Sequence, residues 1–177
     1  TCATSHGIMC DTIDEFRGDL SFANEVNNIV ARTSNVEYMG DSQSRHLLHL
    51  LVEEIGLDKI RDAVINPIRL NVAAYYGPNM QRQGATAGDD PFMPSYLEQL
   101  IMALGGTPVD YDSKCQSVGA PSLLTIQKPV MKMTASVLAD AKSSGADMMV
   151  SACTISHSNL DSYQSKAGKV SGKDTSM

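Results

Sequence analysis

Positive charge and long apolar runs are both scarce in this chain of 177 residues. Lys and Arg number 14 against 20 Asp and Glu, which gives a net charge of −6 and an isoelectric point near 5.1. This balance argues against nucleic acids and anionic membrane surfaces as partners. No apolar run approaches the length of a helical membrane span, so the sequence predicts none. Tryptophan is absent. The ten methionines predict adaptable packing, for example against a partner protein.

Cysteine is also sparse, and the familiar catalytic motifs are missing. The four cysteines are Cys2, Cys10, Cys115 and Cys153. They would permit two disulfides, but their scatter through a pattern of strands and helices is typical of a reduced, intracellular protein. The chain has no Gly-x-Gly-x-x-Gly motif, no phosphate-binding loop and no Ser-His-Asp spacing. The sequence therefore carries no signature of a nucleotide-binding protein or a serine hydrolase.

Strand and helix patterns alternate after residue 66. Strands are predicted at residues 70–76, 108–111 and 148–152, with helices at 95–104 and 123–144 and a polar loop at 81–94. This alternation predicts an α/β fold with a Rossmann-like parallel sheet flanked by helices. Upstream, we predict two helices within residues 8–30, a short strand at 35–39, and an amphipathic helix capped by Ser42 or Ser44 and ended by Gly56. Residues 165–177 are predicted to be a flexible tail.

The last predicted strand leads into Cys153 and a new helix that Thr154 or Ser156 could cap. Open α/β sheets bind ligands at such strand ends, because free N–H groups and the helix dipole point outward there. A cysteine at this place suits a metal or redox centre, and the alternative is a small buried cysteine at a tight turn. The pattern Cys-x-x-Ser-His occurs at residues 2–6 and again at 153–157. The repetition indicates the end of one unit followed by a whole second unit.

Four segments, in this order, resemble the cysteine-rich CCG domain. They are residues 70–77 (LNVAAYYG), 89–106 (DDPFMPSYLEQLIMALGG), 118–121 (VGAP) and 144–160, which contains the second Cys-x-x-Ser. That domain occurs in the B-type subunit of heterodisulfide reductases, in the E-type subunit of some succinate dehydrogenases and in the iron–sulfur subunits of glycolate and lactate oxidases. The resemblance implies a second CCG domain at residues 66–164. Residues 1–65 would then be the remnant of a truncated first repeat, with linking helices.

Each complete repeat of that family holds an iron–sulfur cluster through a Cys after the first strand, a Cys-Cys pair before a Gly, and a closing Cys-x-x-Cys. Thiolates serve because they are soft, charged donors to iron. The matching positions here are Pro78, then Ser117 and Val118 (or Cys115 and Gln116 if Lys114-Cys115 is the anchor), then Cys153 and Ser156. The closing pair of the first repeat keeps Cys2 and has Ser5 in second place. At most two thiolates, Cys115 and Cys153, thus remain in the second repeat.

A cluster of several irons would be poorly held by two thiolates, so we expect a CCG fold without a cofactor. Pro78, Val118 and neighbouring Met or Tyr side chains are expected to occupy part of the cluster's space, since empty volume near a core costs stability. The resemblance then implies a non-catalytic accessory subunit of an oxidoreductase of succinate dehydrogenase or heterodisulfide reductase type. Its partners would be the other subunits of that redox complex. Its expected place is beside a membrane complex, on the mitochondrial matrix side or in a bacterial or archaeal cytoplasm.

Two alternatives keep a cofactor. In the first, the chain is an electron-transfer subunit in which Cys115 and Cys153 hold a residual metal or iron–sulfur centre or a redox disulfide. In the second, Cys2, His6, Cys153 and His157 bind zinc, which requires the two Cys-x-x-Ser-His copies to face each other. His46 and His49 also have a spacing that can bind a metal on one helix, although the flanking leucines favour a partly buried helix face.

Overall fold

The computed structural model describes residues 2–82 and 88–177. The chain begins with two helices, α1 (Ala3–Gly18) and α2 (Leu20–Val30). Asp19 separates them, because its carboxylate accepts hydrogen bonds from the backbone N–H groups of Ser21 and Phe22 and so caps α2. The two predicted helices and the break between them are confirmed.

A second helical stretch consists of α3 (Leu47–His49), π-helical turns at Leu50–Gly56 and α4 (Leu57–Ala63). Its cap is His46 rather than Ser42 or Ser44, since His46 Nδ1 accepts the Leu48 N–H at 3.2 Å. The strand predicted at residues 35–39 is wrong, because this segment joins no sheet. The Asn27 amide instead takes the place of a strand partner and bonds both the N–H and the carbonyl of Tyr38.

Three parallel strands form the sheet in the order β2–β1–β3, with Ala73 opposite both Val109 and Met149. The elements are β1 (Asn71–Tyr75), α5 (Gly77–Met80), α6 (Tyr96–Ala103), β2 (Thr107–Val109), α7 (Gln127–Ser143), β3 (Met148–Ser151), α8 (Thr154–Leu160) and α9 (Gln164–Ser171), with 3₁₀ turns at Asp112–Cys115 and Ala120–Ser122. The predicted α/β fold with a helix-flanked parallel sheet is confirmed.

Helices cover β1 on both faces, so its side chains alternate between two cores. Val72, Ala74 and Tyr76 pack with a cluster that includes Ala3 of α1, Leu48 of α3 and Leu97 and Ile101 of α6. Ala73 and Tyr75 point the other way, toward Val137 and Leu138 of α7 and Leu160 of α8. The helical N-terminal segment therefore shares a core with the sheet.

The chain after residue 164 is packed rather than loose, contrary to the prediction. Ala167 of α9 is fully buried against α7, and Thr175 donates its hydroxyl to the Gln164 carbonyl at 2.9 Å. Small residues at this helix face allow close contact that composition alone did not indicate. The predicted loop at 81–94 has no helix or strand at residues 81–82 and 88–94, and residues 83–87 lie outside the described part of the chain.

Candidate functional site

The two Cys-x-x-Ser motifs meet at the carboxyl end of the sheet. Cys2 immediately precedes α1, and Cys153 immediately precedes α8. Thr4 Oγ1 lies 3.6 Å from Cys153 Sγ, and the Thr154 side chain hydrogen-bonds the Cys2 thiol. Each cysteine thus contacts a threonine of the other motif, and the two copies face each other.

The start of α1 is fixed at this junction by the loop structures that follow β1 and β3. Asn79 of α5 donates its side-chain N–H to Thr4 Oγ1 at 2.9 Å. Cys153 is 2% exposed, and its backbone N–H bonds the Ser151 hydroxyl at the end of β3. Cys2 is only partly buried, so it is the thiol of the pair that solvent reaches.

The local environment favours the ionised form of Cys2. Burial by itself opposes ionisation, but hydrogen bonds from the Thr154 side chain, from the backbone and side chain of Ser5 and from the Thr4 backbone lower the Cys2 pKa to about 6. These donors belong to the first turns of two helices, whose free N–H groups favour negative charge. Cys2 is therefore largely a thiolate at neutral pH.

The Tyr75 side chain lies among the positions that the resemblance assigns to cluster ligands. Its hydroxyl donates to the Gln116 carbonyl at 2.8 Å, and the Ser156 side chain and the Val118 backbone also hydrogen-bond it. A Cβ at Gly77, the residue before Pro78, would lie 2.8 Å from the same hydroxyl. The φ of Gly77 is +64°, so glycine is required here on both counts.

Tyr75 and Cys115 both stay protonated at neutral pH. Burial raises the Tyr75 pKa to about 12 against the opposing hydrogen bonds, and the nearby Cys153 and Cys115 act in the same direction as burial. Cys115 ends a 3₁₀ turn and packs, half-buried, against the core cluster that contains Cys153. Burial also raises the Cys115 pKa above its ordinary value.

Among the residues expected to fill the cluster's space, Tyr75 and Val118 are buried, whereas Pro78 is not. Val118 is 1% exposed, and its carbonyl accepts hydrogen bonds from Thr134 Oγ1 at 3.2 Å and Asn159 Nδ2 at 3.1 Å. Pro78 is exposed, so the expectation that it fills the space is wrong. It sits in the first turn of α5, where its missing N–H leaves no hydrogen bond unmade.

The two histidines of the proposed zinc set differ in their surroundings. His6 Nδ1 is 2.9 Å from Ser44 Oγ, and His157 is exposed on α8. Across residues 2–82 and 88–177, no three or more His, Cys, Asp or Glu side chains are arranged to hold a metal ion.

Three buried imidazoles form a cluster that sequence reasoning missed. The rings of His6, His46 and His49 have centroids 5.7 to 5.8 Å apart. His46 Nε2 bonds the Ala152 carbonyl at 3.0 Å, so this nitrogen carries the proton and Nδ1 is free to accept from Leu48. His49 Nε2 is buried and finds no hydrogen-bond partner within the described residues.

His46 and His49 are both neutral at neutral pH. Burial lowers the His46 pKa to about 4, and the adjacent His49 acts in the same direction. Burial also lowers the His49 pKa, and the nearby His6 lowers it further. The spacing of His46 and His49 signalled that both lie on one helix, but no local pattern brings His6 of α1 to them.

Comparison with known proteins gives relatives with named roles, although no protein-family model matches the chain. The chain is 27% identical to the B-type subunit of the ferredoxin/F420H2-dependent CoB-CoM heterodisulfide reductase of Methanosarcina acetivorans, over 99% of this chain and 59% of that protein. It is also 27% identical to the 8-methylmenaquinol:fumarate reductase membrane anchor subunit of Wolinella succinogenes, over 86% of this chain and 53% of that protein. A protein of Archaeoglobus profundus that resembles the same B-type heterodisulfide reductase subunit is 25% identical over 95% of this chain.

These relatives confirm the resemblance to the B-type subunit of heterodisulfide reductases. They are archaeal and bacterial proteins, and none of them bears on the mitochondrial location. The chain spans less than two thirds of their length. In the described part of the chain, each helix is too short or too polar to cross a membrane.

Proposed function

We propose that this chain, a relative of the B-type heterodisulfide reductase subunits, is an accessory subunit of a larger oxidoreductase complex. The relatives support the subunit role, because they are named as subunits of heterodisulfide reductase and fumarate reductase enzymes. Within that complex, residues 66–164 are a CCG domain that holds no iron–sulfur cluster of its own. Residues 1–65 are the end of a preceding repeat and the helices that link it to this domain.

The environment of Tyr75 is the observation that carries the accessory role. Its buried hydroxyl donates to the Gln116 carbonyl at 2.8 Å and lies near Val118 and Ser156, and these residues are at or beside positions where the family has thiolates. A neutral phenol and a serine hydroxyl are poor iron ligands compared with thiolates. The burial of Tyr75 and Val118 there supports a packed junction rather than a metal centre.

The exposed surface supports docking to other proteins. Met9, Met39, Met93, Met102 and Met133 are between 40% and 78% exposed. Methionine adapts its shape to irregular surfaces and is enriched where proteins bind one another. An accessory subunit would bury several of these side chains against its partners.

Native purification of the chain, tagged at its own chromosomal locus, tests the subunit role. We expect the tagged chain to co-purify with flavin- or iron–sulfur-containing oxidoreductase subunits. The complex bearing both Cys115→Ser and Cys153→Ser should keep its activity, as should a Cys10→Ser control. Recovery of the chain alone from gently lysed cells would contradict the subunit role.

A second candidate is the electron carrier in which Cys115 and Cys153 form the redox centre. One observation favours it: both thiols pack in one core cluster, and both raise the pKa of the nearby Tyr75 hydroxyl. The same experiment distinguishes the two. An assembled complex that loses activity in the double variant, while Cys10→Ser remains active, would identify an electron carrier.

Cys153→Ala should destabilise the reduced protein by only about 1 kcal/mol, the usual cost of losing a small buried group. Among the described residues, the Cys153 thiol has one hydrogen-bonding side-chain partner, Thr4, and the substitution removes that contact. A matched control is Leu138→Ala in the fully buried α7 core, expected to cost about 2–5 kcal/mol. Urea unfolding under reducing conditions gives both values. If Cys153→Ala costs as much as Leu138→Ala, the thiol is holding a cofactor.

A further inference from the structure

The facing cysteines at the start of α1 and α8 have a use that the accessory role does not require. Cys2 and Cys153 belong to one packed cluster. Cys153 contacts Thr4, two residues after Cys2, and Cys2 lies near Thr154, the residue after Cys153. Both cysteines lie just before their helices and have an extended backbone. Their side chains can therefore rotate about χ1 without breaking the backbone hydrogen bonds of either helix.

Of the remaining cysteines, Cys10 is poorly placed to pair with Cys2, whereas Cys115 is close to the same cluster. Cys10 lies eight residues further along α1, about 12 Å away along the helix axis. Its thiol is instead beside the His6 ring, 3.8 Å from Nδ1. Cys115 is on the 3₁₀ turn after β2 and packs against the same cluster as Cys2 and Cys153, so it is the competing partner that the variants below must distinguish.

We infer that Cys2 and Cys153 form a reversible intramolecular disulfide and that this junction is a site of oxidation by peroxides. Solvent reaches Cys2, whereas Cys153 is buried beside it, as expected for an attacking and a resolving thiol. The inference does not depend on the accessory role, since it concerns thiol chemistry of the chain itself.

The reaction has two steps. The Cys2 thiolate attacks one oxygen of hydrogen peroxide, the O–O bond breaks, and Cys2 sulfenic acid forms as hydroxide leaves and takes up a proton to become water. The Cys153 sulfur then attacks the Cys2 sulfur, the S–O bond breaks, and the thiol proton leaves with the hydroxyl group as a second water. Two thiols supply the two electrons that reduce the peroxide, and a dithiol reductant reverses the S–S bond.

The bond would tie the N-terminal helical segment covalently to the end of β3. Residues 2 and 153 are far apart in the sequence, so closing this loop restricts the unfolded chain strongly. Oxidised protein should therefore unfold at a higher temperature than reduced protein. The rise should disappear on treatment with dithiothreitol.

Peptide mapping of the full chain tests the pairing. The reduced protein is treated with an excess of hydrogen peroxide, its remaining thiols are alkylated, and it is digested with trypsin without reduction. We expect loss of two of the four thiols and a cross-linked species that joins residues 1–17 to residues 143–166. Because residues 1–17 contain both Cys2 and Cys10, the same cross-link in Cys10→Ser protein assigns it to Cys2.

Three further variants complete the test. Cys115→Ser should form the same cross-link as wild type, whereas Cys153→Ser should form none and should instead accumulate Cys2 sulfenic acid that reacts with dimedone. Cys2→Ser, at a partly exposed position, is the second variant if Cys153→Ser fails to fold, and it should retain all of its remaining thiols. A cross-link between residues 115–132 and 143–166, four unreacted thiols, or stable sulfenic acid in wild type would each overturn the inference.

Discussion

Anaerobic reconstitution with iron and sulfide is expected to leave the wild-type chain without a stoichiometric cluster. A variant with the family's thiols restored is expected to hold about one cluster per chain. The variant carries Pro78→Cys, Ser117→Cys, Val118→Cys and Ser156→Cys, which join the native Cys153. Iron and labile-sulfide analysis, with the visible charge-transfer absorption, measures the difference.

The physical reason is the number of thiolates that the junction can present. Iron–sulfur clusters require several soft, negatively charged ligands, and the wild-type positions offer a proline, hydroxyls and an aliphatic side chain. Two of the restored positions, Val118 and Ser156, lie near the Tyr75 hydroxyl. We therefore expect the added thiolates to lie close enough together to bind iron.

The matched control replaces the same four positions with alanine, which makes the same cavities without adding thiolates. It should bind no more iron than wild type. If the Cys-Cys pair instead aligns with Cys115 and Gln116, a different variant is needed. In that variant, Gln116→Cys beside the native Cys115 replaces the Ser117 and Val118 substitutions. Stoichiometric iron in the wild-type protein would contradict the loss of the cluster under either alignment.

Acidification from pH 7 to pH 4.5 is expected to remove about 2–3 kcal/mol of stability through His46 alone. The His46 pKa is about 4 in the folded chain against an ordinary value of 6.5. The unfolded state therefore binds more protons between these two values, so the free energy of unfolding falls as pH drops through that window. Protonation would put a positive charge beside His6 and His49, inside a buried cluster.

Urea unfolding of His46→Gln at both pH values isolates this effect. A glutamine amide can donate to the Ala152 carbonyl but does not titrate, so the variant should lose less stability on acidification than wild type. The charged groups that act on His49 are Arg45, Glu53 and Asp89, and they remain in both proteins. His157→Gln, at an exposed position, should behave as wild type does. Equal acid sensitivity of wild type and His46→Gln would show that His46 is not the responsible group.

Local pattern was sufficient for the strands and for most helices. The apolar run before Cys153 and the β-rich run at residues 70–76 became β3 and β1, because short apolar runs bounded by turn residues are typical of strands in a covered parallel sheet. Pattern failed at residues 35–39 and after residue 164. In the first segment, Asn27 satisfies the backbone of Tyr38 in place of a strand partner. In the second, the burial of Ala167 against α7 stabilises a helix of weak intrinsic preference.

The sequence by itself determined the fold class, the resemblance to the B-type heterodisulfide reductase subunits and the loss of thiolates at Pro78 and Ser156. These follow from residue types and their order along the chain. Only the tertiary structure decided that Tyr75 lies among the cluster positions, that Cys2 faces Cys153 and that His6 joins His46 and His49. Each of these contacts joins residues far apart in sequence, and their approach depends on how α1 packs against the end of the sheet. Local propensity does not encode how α1 packs, because that packing results from the burial of many side chains across a whole core.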